Sequence, residues 1–260
     1  MDNLDKIYRI GNDILGQTPR AYERVNQFEK ALPLLEEMLK LRKAKLGPEH
    51  PDTLESLNDL AEAYSDAGKL DLAIPLFEEA LKLWKAKLGT DHPDTLVTMN
   101  NLAVALVGAG RPTEATALAK ESLALSRASL PADSPQLAQS LAVAGLVLLR
   151  SKAFTEVEPI LRECLAIREK HFPESWLIYN TQSLLGGALS GQKKYAEAEP
   201  LLLKGYEGMK QRADTIPPQG KVRLTEAVER LVQLYEALEK KEEAAKWRME
   251  LEAMKPSAKP

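Results

Sequence analysis

Three histidines are the first residues in this chain whose chemistry could serve catalysis or metal binding. His50 and His92 each precede a Pro-Asp-Thr-Leu sequence, and His171 lies near a third loop of the same kind. A metal site needs several converging ligands, and a helix would offer the second one three or four residues away. No second histidine and no cysteine lies at that spacing from any of the three. We therefore interpret them as residues that cap and pack helix starts, and we predict no metal site.

The acidic residues and the single cysteine also lack a catalytic arrangement. Glu36 and Glu37 lie four and three residues before Lys40, which is the spacing of ion pairs on a solvated helix face. Residues 185–188 read Leu-Gly-Gly-Ala, but they fall inside a helical pattern and do not form a phosphate loop. Cys164 is interpreted as a small apolar core residue. We predict no catalytic residue, no cofactor and no enzymatic activity.

The composition excludes two classes of partner. The 260 residues carry a formal net charge of -3, which gives no general affinity for nucleic acid. The N-terminal sequence MDNLDKIYRI contains acids and no long apolar run, so it is neither a signal peptide nor a membrane span. We expect a cytoplasmic protein that binds neither nucleic acid nor membranes.

The positions of the histidines repeat along the chain. The sequence His-Pro-Asp-Thr-Leu at residues 50–54 returns 42 residues later at residues 92–96. A second set of prolines, at positions 33, 75, 159 and 200, is separated by 42, 84 and 41 residues. Two independent patterns with one period indicate an array of repeats. These prolines fall near the starts of predicted helices, where we expect them to cost little because the earliest N–H groups lack intrahelical partners.

Each period contains two helical patterns joined by a short turn, and small residues recur where the two helices would meet. In the first helices these are Ala61, Ala103, Gly145, Gly186 and Val232, and in the second helices they are Ala73, Ala115, Val157, Ala198 and Ala244. Small side chains at matched positions let two antiparallel helices approach closely. One such hairpin cannot bury its apolar face alone, so neighbouring hairpins must stack.

The pattern Leu60-Ala61-x-x-Tyr64-x-x-x-Gly68-x-x-x-x-Ala73 resembles the tetratricopeptide repeat. The 42-residue period and the His-Pro-Asp-Thr-Leu sequence are similar to the kinesin-light-chain type of that repeat. The stretch from Phe172 to Leu251 also resembles repeat arrays joined to bacterial serine/threonine kinases, as in planctomycetes, although no kinase motif is present. The resemblance implies an all-α fold, a right-handed α-solenoid of stacked antiparallel helix hairpins.

The predicted domain organisation has three parts. Residues 17–254 form the array, with repeats at 17–47, 50–89, 92–130, 134–171, 173–212 and 217–253, the last being a charged terminal cap. Residues 255–260 form a flexible tail. Residues 1–16 form a separate helix, for which three interpretations stay open: a repeat truncated by the start of the chain, an atypical cap, or a helix that fills the groove.

In related arrays the first helix of each repeat lines a concave groove, and the corresponding positions here follow from the repeat template. They predict a groove that is acidic at one end and apolar in its middle. Asparagines would bind a peptide backbone, because an amide both donates and accepts hydrogen bonds. Glu62, Val104 and Val143 stand where lysines would bind a C-terminal carboxylate, so that mode is not expected. The predicted groove residues are Asn58, Glu62, Val97, Asn100, Asn101, Val104, Gln139, Leu146, Asn180 and Ser183. On the same side of the first helices the template also places Leu149, Gly187, Glu226, Glu229, Arg230 and Gln233.

These observations predict a non-catalytic scaffold that binds a peptide or protein segment, with the partner unidentified and a monomer favoured. The alternative is a structural or oligomerising spacer, or an accessory region of a larger signalling protein such as a kinase. For Val104 and Leu146, packing between neighbouring hairpins is an equally good interpretation of their apolar side chains.

Overall fold

The computed structural model describes residues 28–217 and 220–254. Its internal contacts divide the chain into two compact units, one ending at Ser129 and the other starting at Leu130. Within the described ranges all regular structure is helical, which confirms the predicted all-α class. The helix proposed for residues 1–16 and the tail at 255–260 lie outside these ranges.

The first unit contains five described α-helices, and each packs against the next along the chain. They are α1 (Phe28–Leu46), α2 (Pro51–Asp66), α3 (Leu70–Leu88), α4 (Pro93–Gly108) and α5 (Pro112–Ser129). The pairs α2–α3 and α4–α5 are joined by short turns, so each pair is a helix hairpin. We call α2 and α4 the first helices of their hairpins, and they also contact each other.

The second unit continues the pattern with six described α-helices in three hairpins. They are α6 (Pro135–Arg150), α7 (Phe154–His171), α8 (Trp176–Gly191), α9 (Tyr195–Gln211), α10 (Val222–Ala237) and α11 (Lys241–Ala253). A 3₁₀ turn at Ala213–Thr215 precedes the last hairpin. The first helices α6, α8 and α10 contact one another in sequence.

The repeated His-Pro-Asp-Thr sequence builds the start of a first helix. The Nδ1 atom of His50 accepts a hydrogen bond from the Asp52 N–H at 3.2 Å, so the imidazole is the N-cap. Pro51 occupies the first helical position, where its missing N–H costs little. The Thr53 hydroxyl donates to the Gly47 carbonyl at 2.9 Å and ties the helix start to the preceding turn. His92 and Thr95 make the same two contacts in α4, so the predicted capping role is confirmed for His50 and His92. For His171 the prediction is wrong, because His171 is the last residue of α7 and the N-cap of α8 is Ser175.

All five described hairpin turns close in the same way. In each turn the backbone N–H of the second residue after the C-cap donates a hydrogen bond to a carbonyl of the last helical turn, at 2.8 to 3.0 Å. This hydrogen bond requires a left-handed backbone conformation, with a positive φ, at the residue directly after the C-cap. Glycine is best suited to that position. Gly68 and Gly110 occupy the position in the first unit, with φ of 73° and 74°. In the second unit the position is taken by non-glycine residues, which are Lys152, Lys193 and Glu239.

The predicted small residues lie where the helices of a hairpin meet. Ala61 and Ala73 are fully buried between α2 and α3. A Cβ added to Gly145 would lie 2.4 Å from Leu161 Cδ2, and one added to Gly186 would lie 2.7 Å from Leu202 Cγ. Because van der Waals contact needs more than 3 Å, these positions exclude larger side chains at the present helix spacing.

Successive second helices are also linked by ion pairs that repeat with the sequence period. Lys43 Nζ of α1 lies 2.9 Å from Glu79 Oε1 of α3, and Lys85 Nζ of α3 lies 3.0 Å from Glu121 Oε1 of α5. Lys40 pairs with Glu37 at 3.5 Å, as predicted. Glu36 instead accepts a hydrogen bond from the Tyr64 hydroxyl. That hydrogen bond, together with burial, raises the pKa of Tyr64 to about 12.

The second set of prolines lies deeper in the helices than expected. Pro75 is the sixth residue of α3, and Pro33, Pro159 and Pro200 occupy the same place in α1, α7 and α9. At this depth a residue would normally donate to the carbonyl four residues earlier, so each proline removes one intrahelical hydrogen bond. The expectation that they cost little is therefore wrong.

Candidate functional site

The first unit has an open pocket between its two first helices. It has a volume of about 230 Å³ and is lined by Pro51, Asp52, Glu55, Asn58, Trp84, Asp94, Val97 and Thr98. Among the residues that the structure describes, three carboxylates line it and no basic side chain does. The carbonyl oxygen of Asn58 is buried and accepts no hydrogen bond from the described residues. The pocket is therefore suited to hydrogen-bond donors or cations.

The six predicted groove residues of this unit differ in exposure. Val97 is 48% exposed and Glu62 is also exposed, while Asn58, Asn101 and Val104 are half-buried. Of these, only Asn58 and Val97 line the pocket.

Asn100 occupies a different position from the one expected. Its side chain is 6% exposed, and its Oδ1 atom accepts a hydrogen bond of 2.9 Å from Ser122 Oγ of α5. The amide oxygen thus joins the two helices of its own hairpin. In this structure it is not available to a peptide backbone.

The second unit has a larger pocket, of about 420 Å³, formed by all three of its first helices and the turn after α6. Its lining residues are Leu149, Arg150, Lys152, Phe154, Gly187, Ser190, Gly191, Glu226, Glu229, Arg230 and Gln233. The volume lies within the range of about 300 to 1,000 Å³ that is usual for ligand pockets. The sequence template had assigned several of these residues to the groove: Leu149, Gly187, Glu226, Glu229, Arg230 and Gln233.

Three arginines surround the buried carboxylate of Glu226 in this pocket. Arg150 and Arg223 donate to its Oε1 atom at 2.5 and 2.8 Å, and Arg230 donates to Oε2 at 3.1 Å. Arg230 also donates to Ser183 Oγ at 3.1 Å. We refer to Arg150, Arg223, Glu226 and Arg230 as the arginine–glutamate cluster.

The charges of the cluster determine the protonation of its members. Burial alone would raise the pKa of Glu226, but the positive charges of Arg223, Arg230 and Arg150 more than offset it, so the pKa lies below its usual range. Burial lowers the pKa of Arg230, and the negative charge of Glu226 opposes that change. Glu226 therefore stays ionised at neutral pH and holds the three guanidinium groups together.

The four predicted groove residues of the second unit are mostly buried. Gln139 is exposed, whereas Leu146 is 6% exposed, Asn180 is 8% exposed and Ser183 is fully buried. The burial of Leu146 favours the interpretation that it packs between hairpins. Asn180 keeps a buried carbonyl oxygen without a hydrogen-bond partner among the described residues.

The cysteine lies in the core, as predicted. Cys164 has no exposed surface, and its thiol donates to the Ala138 carbonyl at 3.3 Å. Burial raises the pKa of the thiol, which keeps it protonated and unreactive at neutral pH. Among the described residues there is no cluster of His, Cys, Asp and Glu that could hold a metal ion.

Sequence reasoning missed the arginine–glutamate cluster. Glu226 and Arg230 had been placed in the groove, but Arg150 comes from a helix 76 residues earlier in the chain. Arg150 ends α6, just before the turn, and the template assigned no groove role to helix ends. The signal that could have found it is the basic pair formed by Arg150 and Lys152, because the same turn in the first unit reads Asp66, Ala67 and Gly68.

The comparisons with known proteins agree with the repeat pattern. The tetratricopeptide repeat family matches residues 20–85 and again residues 60–128. No curated protein is similar enough to the chain to count as a match. None of the described helices combines the length and the apolarity that a helix needs to cross a membrane.

Solved structures of the same fold cover most of the chain. The kinesin light chain repeats of Podosopora anserina match with a TM-score of 0.65 and 24% identity, over 82% of this chain and 99% of that one. BtubC from P. vanneervenii matches with a TM-score of 0.57 and 17% identity, over 82% and 93%. A Rap protein, solved in complex with competence and sporulation factor, matches with a TM-score of 0.68 and 15% identity, over 96% and 76%.

These matches bear out the resemblance at the level of the fold. The link to kinase-joined arrays, the cytoplasmic location, the monomeric state and the lack of enzymatic activity stay predictions. Residues 20–128 carry tetratricopeptide repeats, and the chain has the all-helical fold of kinesin-light-chain-like tetratricopeptide repeat arrays.

Proposed function

We propose that this protein is a non-catalytic interaction scaffold that binds a peptide or protein segment along its first helices. The observation that carries the proposal is the pocket of about 420 Å³ lined by α6, α8 and α10. A surface built from several repeats presents side chains at regular spacing, which suits an extended segment better than a small molecule. The smaller pocket between α2 and α4 supports the same use of the first helices in the first unit.

The comparison with the Rap protein supports a binding role. That protein was solved with competence and sporulation factor bound, and its fold matches 96% of this chain. The tetratricopeptide repeats at residues 20–128 support the same role, because arrays of this family typically bind other proteins.

The proposal narrows the set of ligand-contacting residues to those whose side chains are exposed or half-buried. Asn100, Leu146, Asn180 and Ser183 are assigned to packing, since each is less than a tenth exposed. The retained set is Asn58, Glu62, Val97, Asn101, Val104 and Gln139, together with the exposed lining of the larger pocket.

Selection of a random dodecapeptide phage library on the full chain tests the function without a known partner. Enriched peptides should bind saturably in isothermal titration calorimetry. A matched pair of variants then locates the site of a peptide that binds the first unit. Val97→Glu changes a 48% exposed residue on a first helix, and Leu72→Glu changes a 45% exposed residue on a second helix.

We expect Val97→Glu to weaken such a peptide at least tenfold and Leu72→Glu to leave its affinity unchanged. Equal losses in the two variants, or a library that enriches no peptide, would refute the proposal.

A further inference from the structure

The pocket of the second unit carries an excess of positive charge. Arg150, Lys152 and Arg230 line it, and Arg223 reaches it through Glu226. Against these four basic residues stand only Glu226 and Glu229, so the local formal charge is +2 in a chain whose net charge is -3. The excess is held in place, because Glu226 bonds three of the four cations directly.

The arginines retain hydrogen-bonding capacity that the protein does not use. A guanidinium group has five N–H donors, and Arg150 uses one nitrogen, which contacts Glu226. Its side chain is 38% exposed, so the remaining donors are open to a ligand. Lys152 is exposed and forms no ion pair with the described residues. These groups would bind a carboxylate through charge-assisted hydrogen bonds.

The walls of the pocket leave room for a side chain that carries a carboxylate. A Cβ at Gly187 would lie 3.0 Å from Arg230 Cδ and 3.4 Å from Leu149 Cδ2, so the glycine lets the arginine stem lie against α8. Gly191 is in contact with the ring of Phe154, which would meet an added Cβ at 2.5 Å. Gly187 and Gly191 thus add no side chain to the floor of the pocket, which lies between an aromatic ring on one side and cations on the other.

We infer that this pocket binds acidic side chains of an extended peptide, with Arg150 and Lys152 as the ligand-contacting cations and Glu226 as the residue that positions Arg150 and Arg230. The inference rests on the proposed function and specifies the chemistry of its ligand. A polynucleotide is a poorer occupant, because Glu226 and Glu229 in the lining would repel a continuous row of phosphates. Separate carboxylates spaced along a peptide can avoid both.

The test uses the full chain and three fluorescein-labelled dodecapeptides of alternating sequence, Glu-Ala, Gln-Ala and Lys-Ala, followed by fluorescence anisotropy. We expect saturable binding of the Glu-Ala peptide alone, weakening as ionic strength rises. Arg150→Gln should lower its affinity by about 10-fold to 100-fold, which is the usual loss for one charged hydrogen bond. Lys152→Gln should add to that loss.

Arg248→Gln is the matched control, because Arg248 is an exposed arginine of the same unit whose only ion pair within the described residues is with Glu236. Arg150→Gln leaves Glu226 bonded to Arg223 and Arg230, so the fold should persist, which circular dichroism checks. The inference is overturned if the Glu-Ala peptide binds no better than the Gln-Ala peptide, or if Arg150→Gln binds it as tightly as the unchanged chain. Tighter, Arg150-dependent binding of a thymidine dodecanucleotide would also overturn it.

The phage selection separates the two proposals. If enriched peptides bind through the first helices but are not acidic, the scaffold function stands and the acidic ligand is rejected. If no peptide is enriched at all, the scaffold function itself fails.

Discussion

Gly205 gives the sharpest test of how closely the hairpin helices of the second unit pack. A Cβ at this position would lie 2.7 Å from the Ser183 backbone nitrogen and 2.8 Å from the Tyr179 carbonyl oxygen. Both are backbone atoms of α8, so no rotamer change can relieve the clash, and the helix itself would have to move. Such overpacking costs about 3 kcal/mol at the upper end of its usual range. Alanine has a higher helix propensity than glycine, which offsets about 1 kcal/mol of that cost.

Gly205→Ala should therefore lower the free energy of unfolding by about 2 kcal/mol. Urea denaturation followed by circular dichroism measures the change. Gly187→Ala is the matched control, because it lies inside α8 but its nearest contacts would be side-chain atoms, which are Arg230 Cδ, Leu149 Cδ2 and Arg230 Nε at 3.0, 3.4 and 3.5 Å. These can give way, so we expect a change between zero and a gain of about 1 kcal/mol. Equal effects in the two variants, or a Gly205→Ala chain as stable as the original, would refute the packing argument.

Four further predictions concern local stability. Lys193 has a φ of 64°, a left-handed conformation that strains a residue with a side chain. Lys193→Gly should therefore raise the free energy of unfolding by about 0.5–1 kcal/mol, which is the strain relieved minus the cost of the chain entropy that glycine adds to the unfolded state. The reverse change, Gly68→Ala, meets no atom within 4 Å and should cost about 1 kcal/mol through backbone strain alone; urea denaturation measures both. His92→Ala removes the N-cap of α4 and should cost about 1 kcal/mol, whereas His92→Ser should retain most of the stability in the same assay. Hydrogen bonds from Lys194, Arg162 and Gln192 lower the pKa of Glu158 from 4.5 to about 2. The stability that its ionised form contributes is therefore present above pH 4.5 and lost as the pH falls towards 2, and Glu158→Gln should flatten the pH dependence of unfolding in that window.

The repeat architecture could be predicted because the sequence states it redundantly. The His-Pro-Asp-Thr sequence defines the starts of α2 and α4 through local contacts, such as the Asp52 N–H to His50 and the Thr53 hydroxyl to Gly47. Contacts within six residues of each other follow from sequence spacing alone. The small residues at the hairpin crossings, such as Ala61, are also specified by local periodicity, so their burial could be derived without a structure.

The candidate site could be predicted only in part, because its chemistry depends on contacts between distant helices. Asn100 and Ser183 were assigned to the groove by their place in the template, yet the first bonds Ser122 and the second accepts from Arg230. Their partners lie 22 and 47 residues away, and no periodicity in the sequence indicates that a polar residue will find one. The same limit hid Arg150, whose partner Glu226 belongs to a hairpin two repeats later.

One template thus produces two pockets of opposite character. Asp52, Glu55 and Asp94 line the pocket of the first unit, whereas Arg150 and Arg230 line that of the second. The template constrains the crossing positions, where an added methyl group would strike a neighbouring helix, and the turn positions, where φ must be positive. Groove positions lie neither at a helix crossing nor at a turn, so a residue there can change its charge without loss of the fold. Ligand preference in such an array is therefore free to differ from repeat to repeat.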